Sequence, residues 1–406
     1  MKQVIIVGAG PAGLMAAEVI QTAGHQVHIY DAMPSACRKF LLAGIGGMNI
    51  THSEAFEPFM SRYYDKAEWL TPAIKAFDNQ ALRQWIHDLG IDTFVGSSGR
   101  VFPEKMKAAP LLRNWLKRLK ELGVVFHMRH KLIGLEGLTA TFNYEGLDKH
   151  KSADAILLAM GGASWPKLGS DGKWVGFLSR QGIQVAPLES TNCGFYSHWS
   201  EHLQANYAGA PLKSVAFSVK TLAGEIITRK GEGIVTQDGM EGSLIYAFSK
   251  HLRDAINHAG QARLTINLLP DLSEAQVAEK LANTKAKESM SKYLKRTLKL
   301  DSVKAALLFE AFQKDDFDTP QKLAKCLQAI PVYFYKTKPV EEVISTAGGV
   351  CQQSVTQDYM LKRLPGVFCA GEMLDWEAPT GGYLLTACFA TGRKAGLGVS
   401  TYLAHQ

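Results

Sequence analysis

Residues 4–7 (VIIV) are uninterrupted apolar positions ending in a glycine turn, which predicts a short buried strand. Apolar positions then recur at helical spacing from Ala12 to Ala23, and Val27–Tyr30, closed by Asp31, predict a second strand. Strand, turn, helix and strand in this order make a βαβ unit. Residues 35–53 (SACRKFLLAGIGGMNITHS) are glycine-rich and read as an irregular but ordered segment. Helical periodicity returns near 66–90 and from 108 to 122. Ala153–Ala159 predicts another buried strand running into Gly161-Gly162. From 187 to 245 the pattern alternates, with Val215, Phe217 and Val219 on one face and Ala223-Gly224 at a hairpin turn. From 242 to 328 it becomes helical and lysine-rich, and Ser273 with Gln276 forms a capping-box signature. After Pro339 strands and glycines return and continue to about 398. The predicted fold class is therefore α/β. A Rossmann-like domain in two pieces, residues 1–186 and 339–406, carries an insertion at 187–338 that is β-rich and then helical.

Composition narrows the class further. With 46% hydrophobic and 20% charged residues the chain is an ordinary globular protein, which excludes disorder, collagen and coiled coil. The net charge of +7 permits an acidic or nucleic-acid partner without requiring one. The six cysteines (37, 193, 326, 351, 369 and 388) contain no CxxC pair, which argues for a reducing compartment and against structural zinc or a disulfide framework. His198 and His202 stand four apart but lack the glutamate of a zincin, so no metal site is expected. No apolar run reaches the ~20 residues that span a bilayer. The N-terminal VIIVGAGPAGLMAA resembles a signal peptide, yet its removal would destroy the glycine turn. The expectation is a cytoplasmic protein without membrane contact.

Gly8-Ala9-Gly10-Pro11-Ala12-Gly13 follows the first strand and opens the first helix. In such a turn the first glycine allows the bend, the second lets backbone approach a pyrophosphate, and the third lets helix and strand pack closely. The helix N-terminus faces the phosphate charge. Asp31 ends the second strand, where a carboxylate accepts hydrogen bonds from a ribose. These features predict a bound dinucleotide but do not separate FAD from NAD. The C-terminal segment favours FAD. Gly366-Val-Phe-Cys-Ala-Gly371-Glu372 predicts a short strand ending in Gly-Glu, and Gly381-Gly382-Tyr383 opens an amphipathic helix running to about Ala395. A strand-end acid suits the ribityl hydroxyls, and a late helix N-terminus suits the flavin edge where charge gathers on reduction. Gly161 is a further cofactor candidate. Tyr383 either packs near the flavin ring or caps its helix in the core. Arg38 and Lys39 either neutralise the pyrophosphate or form a solvated loop pair.

The runs GAGPAG (8–13), RKFLLAGIGGMNIT (38–51), GRVFPEKMKA (99–108), LLAMGGASWPKLGSDG (157–172), STAGGV (345–350) and GVFCAGEMLDWEAPTGGYLLTACFATGRKAG (366–396) carry a family resemblance. Over nearly its whole length the chain resembles the bacterial BaiN/RdsA-type FAD-dependent flavoproteins. That resemblance implies a two-piece FAD domain, an inserted β-barrel-like plus helical domain, and reduction of uracil in ribosomal RNA as one substrate class. The chain departs from the family pattern at three places. Gly46-Gly47-Met48-Asn49 lacks the cysteine of a Gly-Arg-Cys-Asn run, Leu384 replaces an asparagine, and Met160 replaces a threonine. A cysteine proton donor at that run is therefore excluded, and no catalytic residue is assigned.

No second glycine fingerprint follows another strand–helix pair, so NADH or NADPH is expected as a transient hydride donor at the flavin. The expected reaction moves a hydride between NAD(P)H and an activated C=C or C=N bond. The alternatives are an oxidase or reductase of a small amine or ring compound, and a low-turnover flavin-binding RNA-associated protein. Two basic stretches, 100–131 and 285–299, read either as solvated helix faces or as an RNA footprint. In the second, Lys292, Lys295, Arg296 and Lys299 share one helix face by spacing.

Overall fold

A computed structural model describes residues 1–42, 46–282 and 288–406. The chain forms two compact units, Met1–Glu189 with Val340–Gln406, and Ser190–Pro339. In chain order the elements used below begin with β1 (Gln3–Val7), α1 (Pro11–Thr22), β2 (Gln26–Asp31), α2 (Ala108–Glu121), β3 (Val125–Met128) and β4 (Ala155–Leu158). They continue in the second unit with β5 (Phe195–Ser197), β6 (Pro211–Lys220), β7 (Ile226–Thr236), β8 (Gly239–Glu241), β9 (Ala262–Asn267), α3 (Met290–Leu298) and β10 (Ile330–Thr337). The first unit closes with β11 (Val367–Cys369) and α4 (Tyr383–Ala404).

In the first unit the sheet order is β11-β4-β1-β2-β3, with every neighbour parallel. Strands buried on both faces read as continuous apolar runs, which is why VIIV and AILL are legible. Val7 pairs with both Tyr30 and Leu158, and Leu158 pairs with Cys369. The strands thus end level, and the loops that start at Gly8, Asp31, Ala159 and Ala370 leave the sheet at one carboxyl edge. Glu18 of α1 ties the helices together beneath this edge. Its carboxylate accepts the indole N–H of Trp85 at 3.2 Å and of Trp115 at 2.8 Å, with Arg118 at 3.5 Å.

The second unit is a closed six-stranded barrel, β5-β8-β7-β6-β9-β10, with helices attached. Its β6–β7 hairpin turns at Ala223-Gly224, where the Gly224 N–H donates to Thr221 O. Ser273 and Gln276 form the expected reciprocal cap.

Three readings are corrected by the structure. The segment 35–53 is not irregular throughout, because Arg38–Leu42 is a short helix and Thr51–His52 is a strand paired with Arg100–Pro103. Such a two-residue strand exists only through a distant partner and leaves no local period. The stretch 242–328 is interrupted by β9, whose six residues alternate buried and open but are hidden among lysine-rich helices. A three-stranded sheet at Lys131–Glu136, Thr139–Tyr144 and Leu147–Ser152 leaves little mark in the sequence, because its outer strand, LDKHKS, is exposed at every position. In addition, α4 runs to Ala404, beyond Ala395.

One stacked cluster on this sheet titrates. His127 Nε2 lies 2.9 Å from His28 Nδ1, and Tyr30 stacks between His127 and Phe142 at 4.3 and 4.2 Å. Burial first, then His28, His130 and Lys151, push the His127 pKa down to about 4. The folded protein keeps this ring neutral while the unfolded chain binds a proton below about 6.5. Stability is therefore expected to fall as pH drops from about 6.5 towards 4, because the unfolded state takes up the extra proton. Thermal melts across that window should show a shallower decline for His127→Phe than for wild type.

Candidate functional site

The carboxyl edge of the sheet opens into a cleft of about 590 Å³, within the usual range for ligand pockets. Its floor is the turn after β1. Gly8 has φ +106, and a Cβ there would stand 2.2 Å from Ala159 O; at Gly13 it would stand 2.0 Å from Gly8 O. Both glycines are packing requirements of the turn. Gly10 differs, since a Cβ there meets nothing within 4 Å and would project into open space. Pro11 and Ala12, also in the wall, start α1, so the helix N-terminus faces the cleft.

Asp31 closes β2 at the rim. Its Oδ2 accepts the Ala9 N–H and its Oδ1 the Met33 N–H, each at 2.7 Å. Burial raises its pKa, opposed by these two amides. Each oxygen keeps a lone pair for a ligand hydroxyl. The side chain thus holds the phosphate-binding turn as well as facing the cleft.

Opposite lies a polar knot that joins loops far apart in sequence. Glu372, after β11, accepts the Thr346 N–H at 2.9 Å with Oε1 and Lys39 Nζ at 2.9 Å with Oε2. Lys39 also donates to Ser164 Oγ at 2.6 Å, and Thr346 Oγ1 accepts the Ala163 N–H at 2.9 Å. Lys39 is accordingly a cleft residue paired with an acid and not a solvated loop cation. Arg38 also lines the cleft. Its Nε is buried and, among the described residues, has no hydrogen-bond partner. Gly161 and Gly371 complete the wall; Gly161 O accepts the Trp174 indole N–H, and the Gly371 N–H donates to Thr391 Oγ1.

Ser170 was not anticipated as a site residue. It is 6% exposed, lines the cleft, and its hydroxyl has no partner among the described residues. It stood in view within LLAMGGASWPKLGSDG, but a lone serine in a glycine-rich loop carries no periodic signal. Cys37 and Cys388 also line the cleft. Burial, followed by the Glu372 charge, pushes Cys388 up to about 12, so it packs as a neutral thiol.

The start of α4 is placed elsewhere. Gly381, Gly382 and Tyr383 do not line the cleft. Gly382 has φ +93, and a Cβ there would lie 2.4 Å from Thr51 Cα. Tyr383 is 4% exposed and donates its hydroxyl to Glu54 Oε1 at 2.6 Å, while its carbonyl accepts the Tyr63 hydroxyl at 2.8 Å. Arg62 holds both oxygens of the same glutamate. Of its two readings, the structure places Tyr383 in the core at the head of its helix. The loop position Met48, where the family pattern has cysteine, is buried at 1% exposure.

The two basic stretches fare differently. In 100–131, Arg118 turns inward to Glu18, Lys117 pairs with Glu121 at 3.7 Å, and Lys131 with Asp171 at 3.7 Å. In 285–299, residues 285–287 lie outside the described residues. Lys292, Lys295 and Arg296 of α3 are exposed, and Arg296 is paired with Glu288. Lys299 caps the helix at φ +55 and so departs from the helical face. Among the described residues no cluster of His, Cys, Asp or Glu could hold a metal ion, and no helix is long and apolar enough to cross a membrane.

These residues fit FAD on structural grounds. The wall is open at Gly10, the helix N-terminus faces the cavity, and the buried Arg38 Nε and Ser170 hydroxyl have no partner among the described residues. Known proteins agree in kind. A family model described as the HI0933-like protein Rossmann domain matches residues 2–398. The chain is 24% identical over 413 residues to a 3-dehydro-bile acid delta(4,6)-reductase of Clostridium scindens, covering 98% of each chain. It is 23% identical over 393 residues to a ribosomal RNA dihydrouridine synthase of Escherichia coli, covering 93% of each. The open conformation of a flavocytochrome c3 fumarate reductase superposes with a TM-score of 0.50 and 17% identity, over 99% of this chain and 78% of that one. That likeness shows a shared fold.

Proposed function

The chain belongs to the HI0933-like family of FAD-dependent Rossmann oxidoreductases, and on that premise we propose that it transfers a hydride from NADH or NADPH to an activated C=C or C=N bond. The observation that carries the reading is the cleft itself, with its open Gly10 wall, its helix N-terminus, and an Arg38 Nε and Ser170 hydroxyl that lack partners among the described residues. FAD, when bound, supplies a carrier that takes and gives two electrons. The N–H groups of Gly10 and Ala12, which flank a proline that has none, would hold its diphosphate with Arg38. Asp31 would accept from its ribose, and Glu372, kept in place by Thr346 and Lys39, from its ribityl hydroxyls.

The names of the two relatives described above denote saturation of a C=C bond, in a bile acid and in uridine. This supports a substrate whose double bond is conjugated to a carbonyl, and makes uracil in ribosomal RNA one candidate class. The exposed Lys292 and Lys295 of α3 suit RNA without setting it above a small ring compound or amine. A flavoprotein that binds RNA with little turnover is the reading this proposal must beat.

Anaerobic stopped-flow mixing with NADH and with NADPH should bleach the visible flavin band, at about 1 s⁻¹ or faster with the preferred donor. Persistence of the band with both would overturn the nicotinamide as donor. RNA mass spectrometry of a deletion strain should show dihydrouridine lost from ribosomal RNA; an unchanged profile moves the substrate to the small ring compounds.

A further inference from the structure

We propose that the outer wall of the barrel, at Tyr196, His198, Tyr333 and Tyr335, is a stacking surface for single-stranded RNA. The proposal rests on the RNA reading above and adds the surface that would hold the strand. Along β10, Ile330, Val332 and Phe334 point into the barrel, while Tyr333 and Tyr335 point outward, 49% and 39% exposed. Two residues along a strand rise about 6.7 Å, close to the spacing of neighbouring nucleotides in an extended single strand. A chain laid along β10 would therefore bring successive bases to successive rings.

The rings are also held in order. His198 lies flat on Tyr335, centroids 4.1 Å apart and planes 8° from parallel. Tyr196 on β5 flanks the same ring at 6.2 Å and 29°. Cross-strand aromatic pairs stabilise sheets, which accounts for these three. It does not account for Tyr333, which makes no ring contact among the described residues and yet stands half exposed beside Arg263, its partner on β9.

The charge around the rings is of the sign RNA needs. Lys336 is exposed opposite Tyr196 and Arg263 is exposed at the other end, while Lys338, 4.0 Å over the Tyr196 ring, is neutralised by Asp238 at 2.6 Å. Residues 190–339 hold 20 of the 45 Lys and Arg against 15 of the 38 Asp and Glu, so most of the positive surplus lies in this unit. A groove beside Tyr335 presents Gln237, an amide able to meet base edges, next to Asp238, whose Oδ1 is taken by Lys338 and Thr236. Flat rings with a cationic rim describe a sequence-tolerant binder of single strands.

Fluorescence anisotropy of labelled oligouridylate with the FAD-loaded, full-length protein tests the surface. Tyr333→Ala/Tyr335→Ala should weaken binding by about tenfold or more with the salt slope unchanged, because no phosphate contact is removed. Tyr333→Phe/Tyr335→Phe keeps the rings and should bind like wild type, which separates lost stacking from a damaged barrel. Lys295→Glu/Arg296→Glu should instead make the slope shallower. Wild-type affinity in the alanine variant would overturn the stacking surface while leaving RNA binding intact. Equal binding of oligothymidylate would overturn the assignment to RNA, and preference for a proline-rich peptide would overturn a nucleic acid altogether. If wild type binds no oligouridylate the surface fails, and flavin bleaching by NAD(P)H in the same preparation decides separately whether the redox reading stands.

Discussion

Gly10→Val is expected to give a folded, colourless protein. Gly10 has φ −84 and ψ 178, a conformation open to any L residue, and its side-chain direction is empty for 4 Å. Valine there strains nothing in the protein and places its methyl groups where a diphosphate must touch backbone. The neighbouring glycines make the control. At Gly13 a Cβ would stand 2.0 Å from a carbonyl oxygen, so Gly13→Val should fail to fold, not merely lose colour. Wild type should be yellow and release FAD, not FMN, on denaturation. Gly10→Val should retain the wild-type apoprotein circular dichroism and melt, with flavin affinity reduced by at least about tenfold, equivalent to 1.4 kcal/mol. FMN in the wild-type supernatant, or a yellow Gly10→Val, would show that the cleft serves another ligand.

What could be read from the chain divides along a physical line. Periodicity and turn chemistry are local, so the βαβ unit, the hairpin at Ala223-Gly224 and the cap at Ser273 were all legible. The pairing of Thr51–His52 with Arg100–Pro103 and the alternation within β9 depend on partners far along the chain. The site divides likewise. The turn at Gly8–Gly13 and the strand-end acids Asp31 and Glu372 stand beside strands that mark them. Lys39 acquires its meaning only from Glu372, 333 residues away. Ser170 acquires its meaning from burial without a partner, which no spacing encodes. Tyr383 shows the opposite limit. Its place after two glycines leaves a flavin contact and a core cap both open, and only Glu54, held by Arg62 on another segment, shows where its hydroxyl is bound.

Glu18→Leu is expected to destabilise the first unit by about 3–5 kcal/mol, chiefly the cost of leaving two buried indole donors without their acceptor at about 1–3 kcal/mol each. The carboxylate is 15% exposed and stands where α1 meets α2 and the helix bearing Trp85. Trp115 is fully buried, and its ring packs edge-on to Trp85 at 4.8 Å, with Phe389 of α4 at 5.5 Å, so its N–H has no route to water. An orphaned donor of this kind costs about 1–3 kcal/mol. Trp85, 9% exposed, loses its acceptor as well. Arg118 is 29% exposed and can swing outward, which keeps the total below the sum of three separate losses. Glu18→Gln keeps one acceptor oxygen for an indole and should cost about 1–2 kcal/mol, because one buried donor stays satisfied. Urea unfolding of the apoproteins, read by tryptophan fluorescence, gives the order wild type, glutamine, leucine. For a unit of this size 4 kcal/mol corresponds to a Tm lower by roughly 8–16 °C. If leucine and glutamine variants unfold within about 1 kcal/mol of each other, the N–H groups find other acceptors, and the glutamate does not organise the helices beneath the cleft.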